Sequence, residues 1–397
     1  MHDHHPTDLE RELAFSRRDF LRAGAVGAGV LLGTPHLWAQ DAAKPKRPPR
    51  IKTNIDDALK VPRTKYSLPG LLPGRVVHVQ DGACVKEGQF DQQVVTRMFT
   101  RGLTELTGHD ARESFRMLFT PDDVVGIKVN PVGPGLISTR HEVVQTVIDW
   151  LTASGLPKQN IVIWDRFDTM LADAGFTAER YPGVRIESLQ TMAADVEQGG
   201  WRDQDGNHIS APNFDRQVYY WADVEGPAGL PYLNQHVFNG KESYFGRLLT
   251  EKLTKMINLP VFKNTGNGIS MATKNLGYGA ICNTNRLHRP LFFDVCTEVL
   301  AFPAIRDKLV LNITDGLRGQ YEGGPMPAAQ FAYEYKSLFF ATDPFALDAV
   351  CHDLMVAKRQ EAGVRVDENP RYTDYLRYAE KLGLGIVDPA KVKTVRV

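Results

Sequence analysis

Apolar and polar positions along this 397-residue chain follow two alternating rhythms. Near-continuous apolar runs, the pattern of strands buried on both faces, occur at "RVVHVQ" (75–80), "DVVGIKVNP" (123–131), "NIVIWDR" (160–166) and "GVRIESL" (183–189). Between them, apolar residues recur every three to four positions, as on a helix packed by one face. One such stretch runs from about Asp91 to Leu106. A second carries Val143, Val144, Val147, Ile148 and Leu151 and stops near Gly155, and a short third lies in "DTMLADAGF". Ser138 or Thr139 is placed to cap the second. The rhythm resumes with "KMINLPVFKN" (255–264), a helix from about Pro290 to Phe302, and "DKLVLNITDG" (307–316). In "SLFFATDPFALDAVCHDLM" (337–355) a strand runs into a helix that Asp343 caps and Pro344 opens. Alternation of this kind predicts an α/β fold: a doubly wound, mostly parallel sheet with helices on both faces. Residues 190–245 break the rhythm. They are rich in Trp, Tyr, Asn, Asp and Gly, and "WRDQDGNH" carries a hairpin-turn signal at Asp205-Gly206, so an inserted, partly β lobe is expected there.

The N-terminus belongs to neither rhythm. Arg17, Arg18 and Arg22 precede a weakly apolar run at 23–32, followed by small residues near Ala39 that suit a peptidase. The run is far shorter than the ~20 residues that span a bilayer, so no stable membrane anchor is expected. Ser16-Arg17-Arg18-Asp19-Phe20-Leu21 resembles the twin-arginine export signal, which a receptor reads as an address. That resemblance implies a periplasmic protein, exported already folded, with the twin-arginine machinery as a partner. It raises the expectation of a bound cofactor without naming one. The expected division is a signal at 1–39, a Pro/Lys-rich linker at 40–66 and an α/β domain at 67–397. The histidines at 2, 4 and 5 lie upstream of the arginine pair and would leave with the signal.

The chain holds 47 basic and 47 acidic residues, and losing the signal keeps it essentially neutral. No polybasic face for nucleic acid or anionic lipid is indicated. Cys84, Cys282, Cys296 and Cys351 contain no C-x-x-C spacing, which gives a cysteine-ligated zinc or iron–sulfur site little support. Disulfides in an oxidising compartment and buried free thiols both fit four such cysteines.

Polar residues recur where apolar strands end. Lys128 and Asn130 close one, Asp165 and Arg166 the next, Lys263 and Asn264 a third, and Asp315 a fourth. Ligands of open α/β sheets sit outside the carboxyl ends of the strands, so these side chains are candidates for one crevice. "KNTGNGISMATKNLGYG" (263–279) adds a second Lys-Asn pair, Lys274 and Asn275, around Gly266 and Gly268. Ammonium, amide and exposed backbone N–H donors together favour an anionic oxygen group. The expected roles are Lys128, Lys263 and Lys274 neutralising an anion, Asn130, Asn264 and Asn275 orienting it, and Asp165 and Asp315 as acid–base or metal-holding carboxylates, with Arg166 pairing with either. Asp348 and His352 share a helix face and could start a metal site, but two ligands are too few to name a metal. His288 is the best general base by residue type, against the plainer role of a helix-entry histidine bonded to backbone. The chain has no G-x-S-x-G, no G-x-G-x-x-G after the first strand and no P-loop, which argues against an α/β-hydrolase, a nicotinamide dehydrogenase and a P-loop NTPase.

"VVGIKVN", "VIWDR", "LPVFKN…ATKNLGYG", "LNITDG" and "ATDPFALDAV" together resemble the bacterial family called domain of unknown function 362, over roughly residues 70–355. Some members of that family are twin-arginine exported and others carry ferredoxin-like modules. This chain lacks the cysteine runs of the latter, and Asn264 and Thr265 follow Lys263 where many members have a histidine. The resemblance implies a fold and a site but no reaction. Two function classes follow from the residues: an exported enzyme acting on an anionic small molecule, with redox chemistry suggested by the export route, and a non-catalytic binding or maturation factor for exported metalloproteins. The export expectation has a direct test. Changing both Arg17→Lys and Arg18→Lys retains the protein in the cytoplasm, and fractionation that finds the double variant in the periplasm at normal levels refutes the signal.

Overall fold

Runs that are apolar on both faces must be covered on both faces, and the chain does this with one mixed sheet flanked by helices. The computed structural model describes residues 50–192, 202–224, 237–288, 291–367 and 369–397; the export signal, the histidine tract and the 40–49 tether lie outside them. The strands that position the site are β1 (Arg75–Gln80), β2 (Val125–Lys128), β3 (Ile161–Phe167), β4 (Arg185–Gln190), β5 (Lys255–Asn258), β6 (Val261–Thr265), β7 (Leu309–Gln320), β8 (Ser337–Ala341) and β9 (Lys393–Arg396). Their lateral order is β9-β1-β8-β7-β5-β2-β3-β4, and β6 continues from β5 to pair with the far part of β7. Every neighbouring pair is parallel except those of β8, which runs against both β1 and β7. From β2 the chain winds outward through β3 and β4, then returns to place β5 on the other side of β2. The boundary between β2 and β5 is therefore a topological switch point, where crevices open outside the carboxyl ends of strands.

Side-chain alternation sorts the core into two faces. Val77, Ile127, Ile163, Ile313 and Phe340 pack with α1 (Gln92–Thr107) and α2 (His141–Ala153). Their neighbours Val76, Trp164 and Phe339 point the other way. There they meet α3 (Ala272–Gly277), α4 (Asp294–Glu298), α5 (Pro344–Glu361) and α6 (Asp374–Lys381). This is the expected α/β architecture with helices on both faces. Within 190–245, Phe214–Trp221 and Glu242–Gly246 form a separate two-stranded antiparallel ribbon, and Arg202 bridges His208 across the turn expected at Asp205-Gly206.

Three local expectations need correction. The fold starts at Ile51, not near 67: Ile55–Lys60 is a helix whose carbonyl end is held by the Arg306 guanidinium, which donates to Ala58, Val61 and Pro62. A polar, Pro-rich stretch is thus anchored from far along the chain, which composition does not reveal. Neither Ser138 nor Thr139 caps α2. Thr139 Oγ1 instead accepts from Asn130 N and donates to Leu259 O, each at 2.8 Å, while an Asp315 oxygen takes Arg140 N at 2.7 Å. The helix expected over 290–302 is shorter: Asp294–Glu298 is α-helical, Val299–Ala301 tightens into a 3-10 turn, and Phe302 is extended before Pro303, which opens a separate turn of helix.

Asp343 caps α5 as expected and does more. Its carboxylate accepts from Phe345 and Ala346 at 3.0 Å, from Ile386 at 2.8 Å and from Gly74 at 3.3 Å, tying the start of β1 and the C-terminal segment to the helix. Asp343→Ala strands four backbone donors, three of them buried and each of those costing on the order of 1–3 kcal/mol before relaxation. A loss of roughly 3–5 kcal/mol in urea unfolding is expected; an unchanged midpoint refutes this role.

Candidate functional site

The switch point is occupied by a buried charge. Lys128 ends β2 in register with Asn258 at the end of β5, and its side chain is 1 % exposed. Its ammonium donates to Val129 O at 2.7 Å, to Asn275 Oδ1 at 3.1 Å and to the Asp165 carboxylate. Burial pushes the Lys128 pKa down, and the Asp165 charge opposes that shift. A buried ammonium with no anion would lose its proton or unfold its surroundings, so the pair is what allows β2 to end here.

Asn275 connects this pair to the sheet. It lies on α3, whose first N–H groups and Thr273 hydroxyl are held by Asp348, at 2.8, 3.0 and 2.6 Å. Its Oδ1 accepts from Lys128 and, at 3.2 Å, from Asn130; its Nδ2 donates to Asn258 at 2.8 Å, and Asn258 in turn reaches Asn312 at 3.0 Å. Gly279 permits this closeness: a Cβ there would lie 2.3 Å from Asn275 O and 2.6 Å from Lys128 Cε.

Lys263, 1 % exposed, donates to Asn130 Oδ1 at 2.9 Å and has no carboxylate in ion-pair reach among the described residues. Burial and then the Lys274 charge push its pKa down to about 7, with Lys128 adding to the effect and Asp165 opposing it. Lys274 is half-buried, and its ammonium lies 5.2 Å from the Tyr278 ring centroid and 5.3 Å from that of Phe292. Among the described residues it meets no hydrogen-bond acceptor, and burial lowers its pKa. The Arg166 guanidinium is buried on neutral partners, Gln190 Oε1 at 3.3 Å and Thr284 Oγ1, and burial pushes it down to about 10. His288 takes the plainer of its expected roles, bonding Thr284 O through Nδ1 at 3.0 Å; burial, with the charges of Lys274 and Arg166, holds it neutral with a pKa pushed down to about 3.

Lys128, Asn130, Asp165, Lys263 and Asn275 are thus joined by direct hydrogen bonds, with Lys274 and Arg166 beside them. Two expected members stand apart. Asp315 is spent on backbone: one oxygen accepts from Arg140 N and the other from Leu317 N at 3.1 Å, and burial pushes its pKa up to about 6. Asn264 fastens loops, donating to Gly266 O and accepting from Gly324 N, both at 2.9 Å. The Asp348/His352 metal pairing also fails, because both Asp348 oxygens serve α3. Among the described residues no group of three metal-ligating side chains occurs. All four cysteines are buried and unpaired. Sequence reasoning misses Asn258, Asn312, Gln190 and Thr284. The first two carry a signal, since an amide inside "KMINLP" or "LVLNIT" must find a partner within the sheet.

Residues 231–353 match the family called domain of unknown function 362. This supports the resemblance over the part of the chain holding β5 to β8 and α3, and hence Lys263, Asn264, Lys274, Asn275 and Asp315. Lys128, Asn130, Asp165 and Arg166 lie before the matched region of the domain of unknown function 362. No curated protein matches the chain. A structural-genomics crystal structure of a Thermotoga maritima protein is similar at 9 % identity, with a TM-score of 0.33 over 69 % of this chain and 60 % of that one. The chain thus spans about three-fifths of that neighbour's length.

Lys263 has a consequence for stability. Between pH about 7 and 10.5 the unfolded chain keeps a proton on this amine that the folded chain has released. The unfolded state then binds more protons, so this group makes stability rise with pH across the window. Lys263→Met removes that contribution and flattens the slope of unfolding free energy, measured in urea from pH about 7 to about 9. Equal slopes in the two proteins would refute the depressed pKa.

Proposed function

We propose that this protein is exported by the twin-arginine route and binds a small anionic molecule at the β2/β5 crevice, as an enzyme. One observation carries the anion: Lys128, Lys263 and Arg166 are buried near one carboxylate, Asp165, which Lys128 already occupies, and the Lys274 charge acts on Lys263 as well. Like charges in a poorly hydrated site raise one another's energy, and a bound anion is the direct remedy. Asn130 and Asn275 orient the ligand by way of the lysines they hold, and Lys274, which has no acceptor of its own, faces it.

The enzyme reading draws on Lys263, a buried amine whose pKa of about 7 suits proton transfer at neutral pH. The second reading, a non-catalytic binding or maturation factor for exported metalloproteins, draws on a different observation. Asp165 is bound to Lys128 and Asp315 to backbone, so neither expected acid–base carboxylate is free. Turnover of the co-purified ligand separates the two.

The anion site is tested at Lys274, a half-buried side chain outside the apolar core clusters. Full-length protein from its native compartment carries a small anion detectable by native mass spectrometry. Lys274→Ala loses that mass while its melting temperature stays within a degree or so, and Lys274→Gln, which keeps a donor without the charge, loses less. An unchanged complement of ligand in the Ala variant refutes the site.

A further inference from the structure

Resting on the anion site above, counting the charges at each end of the crevice specifies its occupant further. Lys128 is neutralised by Asp165, and the Lys263 amine is tied to the Asn130 amide. That leaves two cations with no carboxylate partner among the described residues, Lys274 and Arg166. Different residues hold them. Lys274 arrives over Tyr278 and Phe292, whereas Arg166 is held by Gln190 and Thr284. His288 neighbours the partners of both, its ring 4.3 Å from that of Tyr278 and its Nδ1 on the Thr284 carbonyl.

The Arg166 corner has an unused donor that the sequence did not single out. His208, in the inserted lobe, is 1 % exposed. Its Nδ1 accepts from Ser210 N at 3.1 Å, which places the proton on Nε2, and Nε2 is buried with no partner. The same turn is laced to the end of β4, because Ser210 Oγ accepts from Thr191 N at 2.7 Å, next to the Gln190 that holds Arg166. Burial, with the charges of Arg202 and Arg166, pushes the His208 pKa down to about 4, so it is a neutral donor near that guanidinium at physiological pH. Buried donors are seldom left unpaired, and one near a guanidinium that has no carboxylate partner suits an oxyanion.

We infer that the site takes a two-ended dianion, a short dicarboxylate in chemical class, with one carboxylate on Lys274 and the other on Arg166 and His208. The inserted lobe then serves the site by bringing His208 to the Arg166 end. A compact dianion such as inorganic phosphate would satisfy one cation and strand the other.

The test is calorimetric titration of the full chain, stripped of co-purified ligand, with malonate, succinate, glutarate and adipate, with acetate and propionate, and with inorganic phosphate. One dicarboxylate length should bind at least tenfold more tightly than the monocarboxylates. Lys274→Gln should reduce that dicarboxylate to the monocarboxylate level, and so should Arg166→Gln. Because Arg166→Gln could disturb packing, His208→Phe, which keeps the bulk and removes the donor, gives a second reading: it should weaken the dicarboxylate several-fold with an unchanged melting temperature. Phosphate binding as tightly as the best dicarboxylate, or no preferred chain length, overturns the two-ended ligand and leaves the anion site standing. No charge-dependent binding of any probe overturns the anion site itself.

Discussion

The structure around the β2/β5 boundary depends on one constraint: an ammonium buried at the end of a central strand must be satisfied by groups from elsewhere in the chain. Lys128 draws on its own strand's continuation, on Asp165 from β3 and on Asn275 from α3. Each donor or acceptor left unpaired in such a place costs on the order of 1–3 kcal/mol, more for a charge. Three segments far apart in sequence are therefore fixed against one another by a single nitrogen. Asn275 adds to this, since losing its amide would deprive Lys128, Asn130 and Asn258 of partners at once. Gly279 and the Asp348 cap set the depth of α3 that lets the amide reach.

The topology supplies the place for this knot. β2 and β5 are parallel neighbours whose following segments lead away in opposite directions along the sheet, so their ends are not covered by a single crossover. The two strands on the far side of β2 end near Arg166 and Gln190, and the inserted lobe fastens to that side through Ser210 and Thr191. The lobe is thus tied to the sheet edge on the side of β2 away from β5.

The strands and most helices were legible because burial on two faces leaves a pattern that survives in one dimension. Ile163 and Trp164, or Phe339 and Phe340, can only be adjacent apolar residues if both sides of the strand are covered. Lys128, Asp165 and Lys263 were legible for the complementary reason, that charge at the end of such a run needs a partner. The division of labour among the candidates was not. Nothing in "LNITDG" tells whether Asp315 faces a ligand or backbone; here one oxygen takes the Arg140 N–H at the start of α2 and the other the Leu317 N–H. Arg306 was equally hidden, since its partners are backbone carbonyls distant in sequence, and so was His208, whose ring is bonded to the nearby Ser210 N–H.

The electrostatic arrangement also bears on how such a site would respond to its ligand. Lys263 is held near neutrality by burial and by the ammonium groups on either side, and not by any loss of its hydrogen-bond partner. An anion placed against Lys274 cancels the largest of those repulsions and favours the charged form of Lys263. In the proposed reading, ligand binding and proton uptake are then one event: the amine is a base while the crevice is empty and an acid once it is filled. A group that gains its proton as the anion arrives is suited to protonating that anion or to tightening on it. The same charges thus serve both the enzyme and the binding protein, and the two differ only in whether the ligand leaves the crevice chemically changed.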